Sequence, residues 1–260
     1  MPTVAIFLQG LAAFTLAALG VFIGMQIAAR TGAMAEVRPD RWHTVGKIPK
    51  LAGPGLAAGM FLALPLELWL IAATAGAIGI YDDHRRLSPA AKALLLLLPA
   101  VGAMLVTGLW WVGPAIWIAA NACNLLDHAD GIAAATALAA CLFGGHADGA
   151  IAAAAIAGFL IFNLTPARSF MGDGGSLMLG TALVLLSMGQ GPVVSAAWLA
   201  LPLADSLLVV ISRLRQGQKP WIGGTDHSGH RLLRAGVSPY LLPWLYFGLT
   251  AIIATLARML

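Results

Sequence analysis

Residues 121 to 131 read Asn121-Ala122-Cys123-Asn124-Leu125-Leu126-Asp127-His128-Ala129-Asp130-Gly131, a polar stretch between two long apolar runs. An acid at the centre of a membrane-spanning helix costs about 3 kcal/mol, so acids and carboxamides placed here must face water, a cation or a substrate. The stretch therefore predicts a polar site within an apolar chain. Residues 81–86 and 168–176 form two further polar islands of the same character.

The composition indicates a membrane protein that crosses the bilayer many times. The chain is 60% hydrophobic and 10% charged, whereas soluble domains are about 25% charged. Its apolar runs mostly lack a polar face at helical or strand period, which argues against a soluble protein with a large core. Cys123 and Cys141 lie in or beside apolar segments, so no disulfide framework is expected. The run 4–29 is too long for the apolar part of a signal peptide and lacks a basic start, so we interpret it as the first span.

Apolar length predicts an all-α protein of ten membrane-spanning helices in a single domain, residues 1–260. A span needs about 20 residues, or fewer where a helix only partly crosses. The runs at 51–66, 68–81 and 131–144 are the shortest, so counts of eight or nine stay open. The ten predicted spans are residues 4–29, 51–66, 68–81, 93–107, 109–124, 131–144, 149–164, 175–190, 193–212 and 240–257.

The loop charges predict the orientation of these spans. Alternate loops hold 14 of the 15 basic residues, and Arg258 is the exception. The positive-inside rule places that set in the cytoplasm and both termini outside. Nine of the eleven acids lie at the same face, which predicts a polar site at the cytosolic boundary. The loops of this set are residues 30–50, 82–92, 125–130, 165–174 and 213–239.

Asp82 and Asp83 follow directly on an apolar run. Adjacent carboxylates repel each other unless a cation or a shared proton relieves them. A magnesium ion bound together with phosphate oxygens would do so. An acidic helix end compensated by Arg85 and Arg86 explains the pair equally well when it is taken alone.

Asn121, Asn124, Asp127 and Asp130 are spaced by three residues and would share one face of a helix or tight helical turn. Such a face could bind a nucleotide or a sugar, or steady a metal. The alternative is a structural role, with Asp130 as a helix cap and the asparagines bonding helix to helix. Four residues in register favour the functional interpretation.

Two other segments add candidate phosphate ligands. The glycine-rich turn at 171–176 opens a helix, where free N–H groups favour anions, and Asp173 with Arg168 suggests a bound metal diphosphate. His227, His230 and Arg231 could hold phosphate or, with a carboxylate, a transition metal. A cap without ligand and a solvated loop are the respective alternatives. Asp205, inside an apolar run, is expected to face the same pocket.

Taken in order, the motifs resemble those of the polyprenyl-phosphate N-acetylhexosamine-1-phosphate transferases, the superfamily that includes the phospho-MurNAc-pentapeptide translocase and the undecaprenyl-phosphate GlcNAc-1-phosphate transferase. The resemblance spans residues 37–239, and Phe170-Met-Gly-Asp173 is its most specific part. The motifs are Tyr81-Asp-Asp-His-Arg-Arg-Leu-Ser-Pro-Ala-Ala-Lys92, Asn121-x-x-Asn-Leu-Leu-Asp127-x-x-Asp-Gly131, Phe162-Asn163-x-x-Pro-Ala-Arg168-x-Phe-Met-Gly-Asp173-x-Gly-Ser176, Pro202-Leu-Ala-Asp205 and His227-x-x-His-Arg-Leu-Leu233.

The resemblance implies a cytoplasmic-face enzyme of the inner membrane. It would transfer a sugar 1-phosphate from a UDP-sugar to a polyprenyl phosphate such as undecaprenyl phosphate, release UMP and depend on Mg²⁺ or Mn²⁺. No nucleic-acid partner is implied, and a homodimer stays open. The resemblance implies catalytic roles for Asp82, Asp83, Lys92, Asp127 and His230, metal binding by Asp173 and Asp127, and substrate binding by Asn121, Asn124, Asp130, Asn163, Arg168, Phe170, His227 and Arg231.

The chain departs from the family pattern at three places. The first cytoplasmic loop carries its motif only loosely, as Pro39-Asp-Arg-Trp-His43 and Pro49-Lys-Leu-Ala-Gly53. His128 stands where a glycine is usual, and the last motif has two histidines in place of three in a row. These departures favour a relative that uses a UDP-N-acetylhexosamine over the peptidoglycan translocase itself.

Two rival functions make different predictions. A transporter would place its polar groups near mid-bilayer and often show inverted repeats, and neither is seen. A transferase of CDP-linked alcohols is suggested by Asp127-x-x-Asp-Gly131, but the arginine and the downstream acids expected with that motif are missing.

Overall fold

The computed structural model describes residues 2–36 and 47–259, which are mostly helical. One short antiparallel ribbon, β1 (Met34–Glu36) with β2 (Lys47–Pro49), pairs Met34 with Pro49. The predicted motif Pro39 to His43 lies outside the described residues. The helices are α1 (Pro2–Thr31), α2 (Gly53–Met60), α3 (Leu66–Arg85), α4 (Pro89–Leu95), α5 (Leu97–Thr107), α6 (Val112–Leu126), α7 (Ile132–Phe143), α8 (Ala147–Asn163), α9 (Gly172–Ser187), α10 (Pro192–Trp198), α11 (Ala200–Arg215), α12 (Ser228–Arg234) and α13 (Leu242–Ala257).

The apolar helices agree with a membrane protein. Among the described residues, two helical stretches are long and apolar enough to cross a bilayer, Thr3–Thr31 and Pro89–Thr107, and the bent pair α10 and α11 would make a third. Helices α6, α7, α8 and α13 are apolar but shorter. The predicted number of ten spans therefore stays a prediction.

Two predicted spans are interrupted, and proline accounts for both. The run 51–66 contains α2, which has eight residues and is about 12 Å long at the helical rise; the helix that follows begins only after Pro65. The run 193–212 bends by 70° between α10 and α11. Pro202 has no N–H for the carbonyl of Trp198 and its ring crowds that carbonyl, so the helix breaks there.

Helix α9 lies at the centre of the fold. Every residue from Gly174 to Ser187 is buried, and the helix packs against α2, α3 and α6. Helix α1 lies at the periphery against α2 and α8, and large side chains such as Phe7 and Phe22 stay exposed on its outer face. A helix apolar on all sides suits a buried position, whereas the exposed apolar face of α1 suits contact with lipid.

Gly79 allows α3 to approach the start of α9. A Cβ at this position would lie 2.3 Å from the carbonyl oxygen of Asp173 and 2.5 Å from the nitrogen of Gly174. Small residues of this kind let helix backbones pack closely in membranes. The approach places the end of α3, with its two acids, beside the first turn of α9.

We expect Gly79→Ala to destabilise the fold by about 1–3 kcal/mol, because overpacking a close contact shifts backbone. The matched control is Gly248→Ala in α13, where the added Cβ would meet nothing within 4 Å in the described residues outside its neighbours and its own helix backbone, and replacing a helical glycine stabilises by about 0.5–1 kcal/mol. Thermal unfolding of both variants in detergent tests this. Equal melting temperatures for the two variants would contradict the close approach.

Candidate active site

Lys92 joins three segments that are distant in the sequence. Its Nζ lies 3.0 Å from Oδ2 of Asp82, donates to Oδ1 of Asn124 at 3.2 Å and is ion-paired with Asp173. Asn124 in turn donates to Oγ of Ser176 at 2.9 Å. The ends of α3 and α6 and the start of α9 therefore meet at one ammonium group in α4.

We call Asp82, Asp83 and Asp173 the carboxylate cluster, and Asp83 connects it to the ribbon. Its Oδ1 accepts a hydrogen bond of 2.9 Å from Nζ of Lys50, and its Oδ2 lies 3.4 Å from the backbone N of Gly174. Lys50 follows β2, which is fixed because the N–H of Phe170 donates to the carbonyl of Pro49 at 2.8 Å. The ribbon, which we did not predict, thus supplies a second cation to the adjacent acids.

Local sequence explains how Lys92 reaches the cluster. Helix α3 stops at Arg86, which adopts a left-handed conformation with φ of 51°, and Asp82 accepts a hydrogen bond of 2.7 Å from the N–H of Leu87. Ser88 caps α4 by accepting from the N–H of Ala91, with Pro89 at the first helical position, where its missing N–H is not needed. The tight reversal turns Lys92 back toward Asp82.

The polar face predicted for residues 121–130 is split by the end of α6. Asn124 is in the cluster, but the side chain of Asn121 donates to the carbonyl of Trp117 at 2.7 Å within its own helix. The helix ends at Leu126 and Asp127 is its C-cap, so Asp130 leaves the helical register. One continuous helix across all four residues is therefore excluded, because the chain turns after Leu126, and a face shared across that turn stays a prediction.

Asp130 and Asn163 hold backbone segments behind the cluster. Asp130 accepts from the N–H of Ala167 at 2.8 Å. Asn163 accepts from the N–H of Gly131 at 3.1 Å and donates to the carbonyl of Ser169 at 2.9 Å. These bonds hold the turn after α6 against the turn before α9.

Arg168 and Phe170 lie on that second turn. The Arg168 guanidinium is 5.3 Å from the ring centroid of Phe162 and donates to the carbonyl of Ile161 at 2.7 Å. Phe170 is half-buried, and its carbonyl accepts from the N–H of Ala52 at 3.3 Å. Arg168 is exposed and packs on α8 in this structure.

A second group, the histidine cluster, consists of His128, Asp205, His227 and His230. The Nδ1 of His227 is 2.8 Å from Oδ2 of Asp205. The rings of His128 and His227 stack with centroids 4.4 Å apart, and the His230 ring is 5.0 Å from that of His128. All four residues are buried. Burial, together with the nearby His227, lowers the pKa of His128 to about 3, so its imidazole is neutral at neutral pH.

The loop before α12 is held by Arg213. Its guanidinium donates to both carboxylate oxygens of Asp226, with Nη2 at 3.0 Å from Oδ1 and Nε at 3.1 Å from Oδ2. Burial acts to raise the pKa of Asp226, but the bonds from Arg213 outweigh it and hold that pKa below its usual range. Arg231 donates to the carbonyl of Asp226 at 2.8 Å and to Oγ of Ser212 at 2.9 Å. These bonds hold the loop that leads into His227 of the histidine cluster.

The carboxylate and histidine clusters are joined by one short piece of chain. Asn124 contacts Lys92, and His128, four residues later, contacts His227 and His230. The sequence motifs that lie between residues 82 and 230 therefore meet at the two ends of the segment 124–128. Asp127 lies between them and is half-buried.

Comparison with known proteins agrees with this arrangement. Residues 65–190 match the family described as glycosyl transferase family 4. A probable undecaprenyl-phosphate N-acetylglucosaminyl 1-phosphate transferase of Bacillus subtilis is 29% identical over 82% of this chain and 73% of its own length. The chain is therefore similar to members of the glycosyl transferase family 4 superfamily.

Two further relatives differ in how much of them is matched. A putative glycosyltransferase of Streptomyces coelicolor is 37% identical over 71% of this chain, which spans about half (49%) of that relative. A phospho-N-acetylmuramoyl-pentapeptide-transferase of Synechococcus is 33% identical over 62% of this chain and 53% of its own length. The resemblance inferred from the motifs is confirmed at the level of the superfamily, and the chain is a transferase homologue.

Sequence reasoning missed several residues of these two clusters. Lys50 had only a loose motif around it, and its ion pair with Asp83 depends on the unpredicted ribbon. Ser228 lies between the two predicted histidines, and its N–H donates to Oδ1 of Asp205 at 2.7 Å. Tyr246, whose hydroxyl is 2.5 Å from Oγ of Ser228, sits in an apolar run that gave no signal.

We expect Lys92→Met to destabilise the fold by about 2–3 kcal/mol. Breaking a fully buried ion pair typically costs about 3–5 kcal/mol. The expected loss is smaller here because the side chain of Asp173 is 31% exposed. The loss arises from uncompensated charge on Asp82 and Asp173. The double variant Lys92→Met with Asp173→Asn removes one of those charges and should recover part of the loss. Chemical or thermal unfolding in detergent measures both. A double variant that loses as much as the sum of the two single variants would contradict this coupling.

Proposed function

We propose that this protein transfers a sugar 1-phosphate from a UDP-sugar to a polyprenyl phosphate, and that the sugar is an N-acetylhexosamine. The observation that carries the proposal is the meeting of Asp82, Asn124 and Asp173 on the ammonium of Lys92. Donor and acceptor are both anions, and a reaction between them needs positive charge held at the point of approach. The relatives named for undecaprenyl-phosphate substrates support the choice of lipid.

The residues fit a magnesium ion. Carboxylates of Asp82, Asp83 and Asp173 and the carboxamide of Asn124 offer only oxygen ligands, the set that Mg²⁺ prefers, and this group of acids already attracts two lysine cations. Asp173 would be the leading ligand, with Asp127 as a further candidate. When bound, the ion supplies charge that offsets the negative charge of the reacting phosphates.

In the proposed reaction an oxygen of the lipid phosphate forms a bond to the sugar-bound phosphorus of the donor. The bond from that phosphorus to the oxygen of the uridine phosphate breaks, and UMP leaves. Lys92 neutralises charge on the transferring phosphoryl group, and Asp82 positions or deprotonates the lipid phosphate. A covalent intermediate on an aspartate is the alternative. Because the acids lie close together they titrate as a group, and we assign no single base.

The remaining predicted residues divide into two groups in this proposal. Phe170 would stack on the uracil ring, while His230 and Arg231 would approach the diphosphate, with Asn121, Asp127 and Arg168 near the donor. Asp130 and Asn163 are buried and bond to backbone groups of neighbouring turns, and the buried His227 bonds to Asp205. We therefore assign these three a positioning role behind the substrate.

The decisive experiment is an assay of UMP release by purified protein with undecaprenyl phosphate and a panel of UDP-sugars. We expect Mg²⁺-dependent UMP from at least one UDP-N-acetylhexosamine and a loss on the order of 100-fold in Asp173→Asn, the scale for removing one key electrostatic group. The matched control Asp148→Asn, exposed in the first turn of α8, should retain activity.

The panel also separates the alternatives. UMP released only from UDP-MurNAc-pentapeptide would favour the peptidoglycan translocase. Folded protein that releases no UMP from any donor would exclude the proposal and return attention to a transporter. Full activity in Asp173→Asn would refute the assigned metal site.

We further propose that the carboxylate cluster faces the cytoplasm of a bacterial inner membrane. Two glycines with open space around them, Gly223 before α12 and Gly189 after α9, serve as matched labelling sites on opposite predicted faces. A membrane-impermeant thiol reagent added outside intact cells should modify Gly189→Cys and spare Gly223→Cys. The native Cys123 and Cys141 are buried, so the unaltered chain is the blank. Labelling of Gly223→Cys alone would reverse the orientation.

A further inference from the structure

The histidine cluster has a chemical character different from that of the carboxylate cluster. Three of its four members, two imidazoles and one carboxylate, place donor atoms close together, and they come from the turn after α6, from α11 and from the residue preceding α12. Imidazole nitrogen suits zinc, copper, iron and nickel, whereas Mg²⁺ prefers oxygen. A second cation of a different class could therefore bind beside the first.

We propose that His128, Asp205 and His227 form a binding site for a divalent transition-metal ion of the zinc class. One donor atom from each of the three residues lies within 4.8 Å of the other two. This inference goes beyond the proposed sugar-phosphate transfer and does not depend on it.

The distances suit a single ion. Zinc binds nitrogen and oxygen at about 2.0–2.2 Å, so two donors on one tetrahedral ion lie roughly 3.3 Å apart. The Oδ2 of Asp205 is 2.8 Å from Nδ1 of His227 and 3.9 Å from Nδ1 of His128. The His227 separation is close to the required value, and the imidazole of His128 lies beside the same carboxylate oxygen, so a rotation of the His128 ring would turn its Nε2 toward the ion while all three donors stay within the observed 4.8 Å.

Asp205 is held by neighbours that leave its second oxygen for the ion. Its Oδ1 accepts from the backbone N–H of Ser228 at 2.7 Å and from the Ser228 hydroxyl. The same hydroxyl is 2.5 Å from that of Tyr246. Partners of this kind orient metal ligands and are part of most metal sites. Oδ2, by contrast, faces the two imidazoles.

His128 carries an unused ring nitrogen inside the protein. Its Nδ1 lies 3.2 Å from the carbonyl of Leu125, while its Nε2 is buried and has no hydrogen-bond partner among the residues that the structure describes. The side chain is 5% exposed, and a buried polar atom left unsatisfied is unfavourable. Metal ligation would employ the imidazole lone pair, and a backbone carbonyl is the usual partner of the other ring nitrogen in such sites.

Asp205 is already hydrogen-bonded to His227 and Ser228, whereas the turn after α6 meets α12 through ring contacts, and a bound ion would connect that turn to the other two elements. The turn after α6 carries Asp127, and α12 carries His230 and Arg231. A metal on His128 and His227 would fix α12 against that turn.

The test measures metal binding by purified, chelator-treated protein in detergent without a histidine tag, in excess Mg²⁺ to occupy the oxygen ligands. We expect one Zn²⁺ per chain, and visible absorption of bound Co²⁺ typical of low-coordinate nitrogen and oxygen ligation. His128→Gly and His227→Gln should each weaken Zn²⁺ binding at least tenfold, and Ser228→Ala by about tenfold. His146→Gln, at the N-cap of α8, is the matched control and should bind as the unaltered chain does.

Gel filtration and thermal unfolding without metal establish that the variants are folded. Ser228→Ala keeps all three ligands and so still tests the site if a histidine variant fails to fold. The proposal is overturned if the unaltered chain takes up no stoichiometric Zn²⁺, or if a folded His128→Gly binds it equally well. Because UMP release is not the readout, failure here leaves the proposed transfer reaction standing, and an inactive protein that binds Zn²⁺ leaves this site standing.

Discussion

The ammonium of Lys92 is the interaction on which the arrangement of polar groups depends. Carboxylates from α3 and α9 approach each other at the edge of an apolar bundle, and without a cation between them they would repel. Lys92 contacts both, and Lys50 pairs with the neighbouring Asp83. The protein therefore keeps three acids close together, each paired with a lysine.

Backbone packing supports this charge arrangement. Gly79 brings α3 against the first turn of α9, and α9 is buried along its length. Asp130 and Asn163 then tie together the turns on either side of the cluster. The acids are thus placed by elements that have little room to shift, as close-packed interiors generally require. Charge and packing constrain the same few residues.

The sequence indicated the membrane class, the superfamily and the polar segments because each depends on local pattern. Apolar runs and clustered acids are visible in one dimension, and Asp82, Asn124 and Asp173 were all singled out before the fold was known. The individual contacts between these residues were not predicted, because Lys92 pairs with Asp173 across 81 positions of the sequence. The ribbon that carries Lys50 was missed because its strands have three residues each, too few to show a period.

Other differences have local physical causes that pattern alone does not show. A spacing of three predicted one face of a helix or tight helical turn from Asn121 to Asp130, and the helix itself ends at Leu126, where the chain turns. Tyr246 supports Asp205 through Ser228, and a tyrosine inside an apolar run gives no sign of such a partner. Long-range support of polar residues is decided by tertiary structure, which composition and spacing do not encode.

The ion pair between Asp82 and Lys92 has a consequence for biosynthesis. Only ten positions separate the two residues, and the reversal at Arg86 and Ser88 brings them together. Domains and their elements emerge from the ribosome in order, so this acid meets its lysine long before Asp173 has been translated. The charge at the end of a newly made α3 can therefore be partly neutralised before the rest of the carboxylate cluster exists.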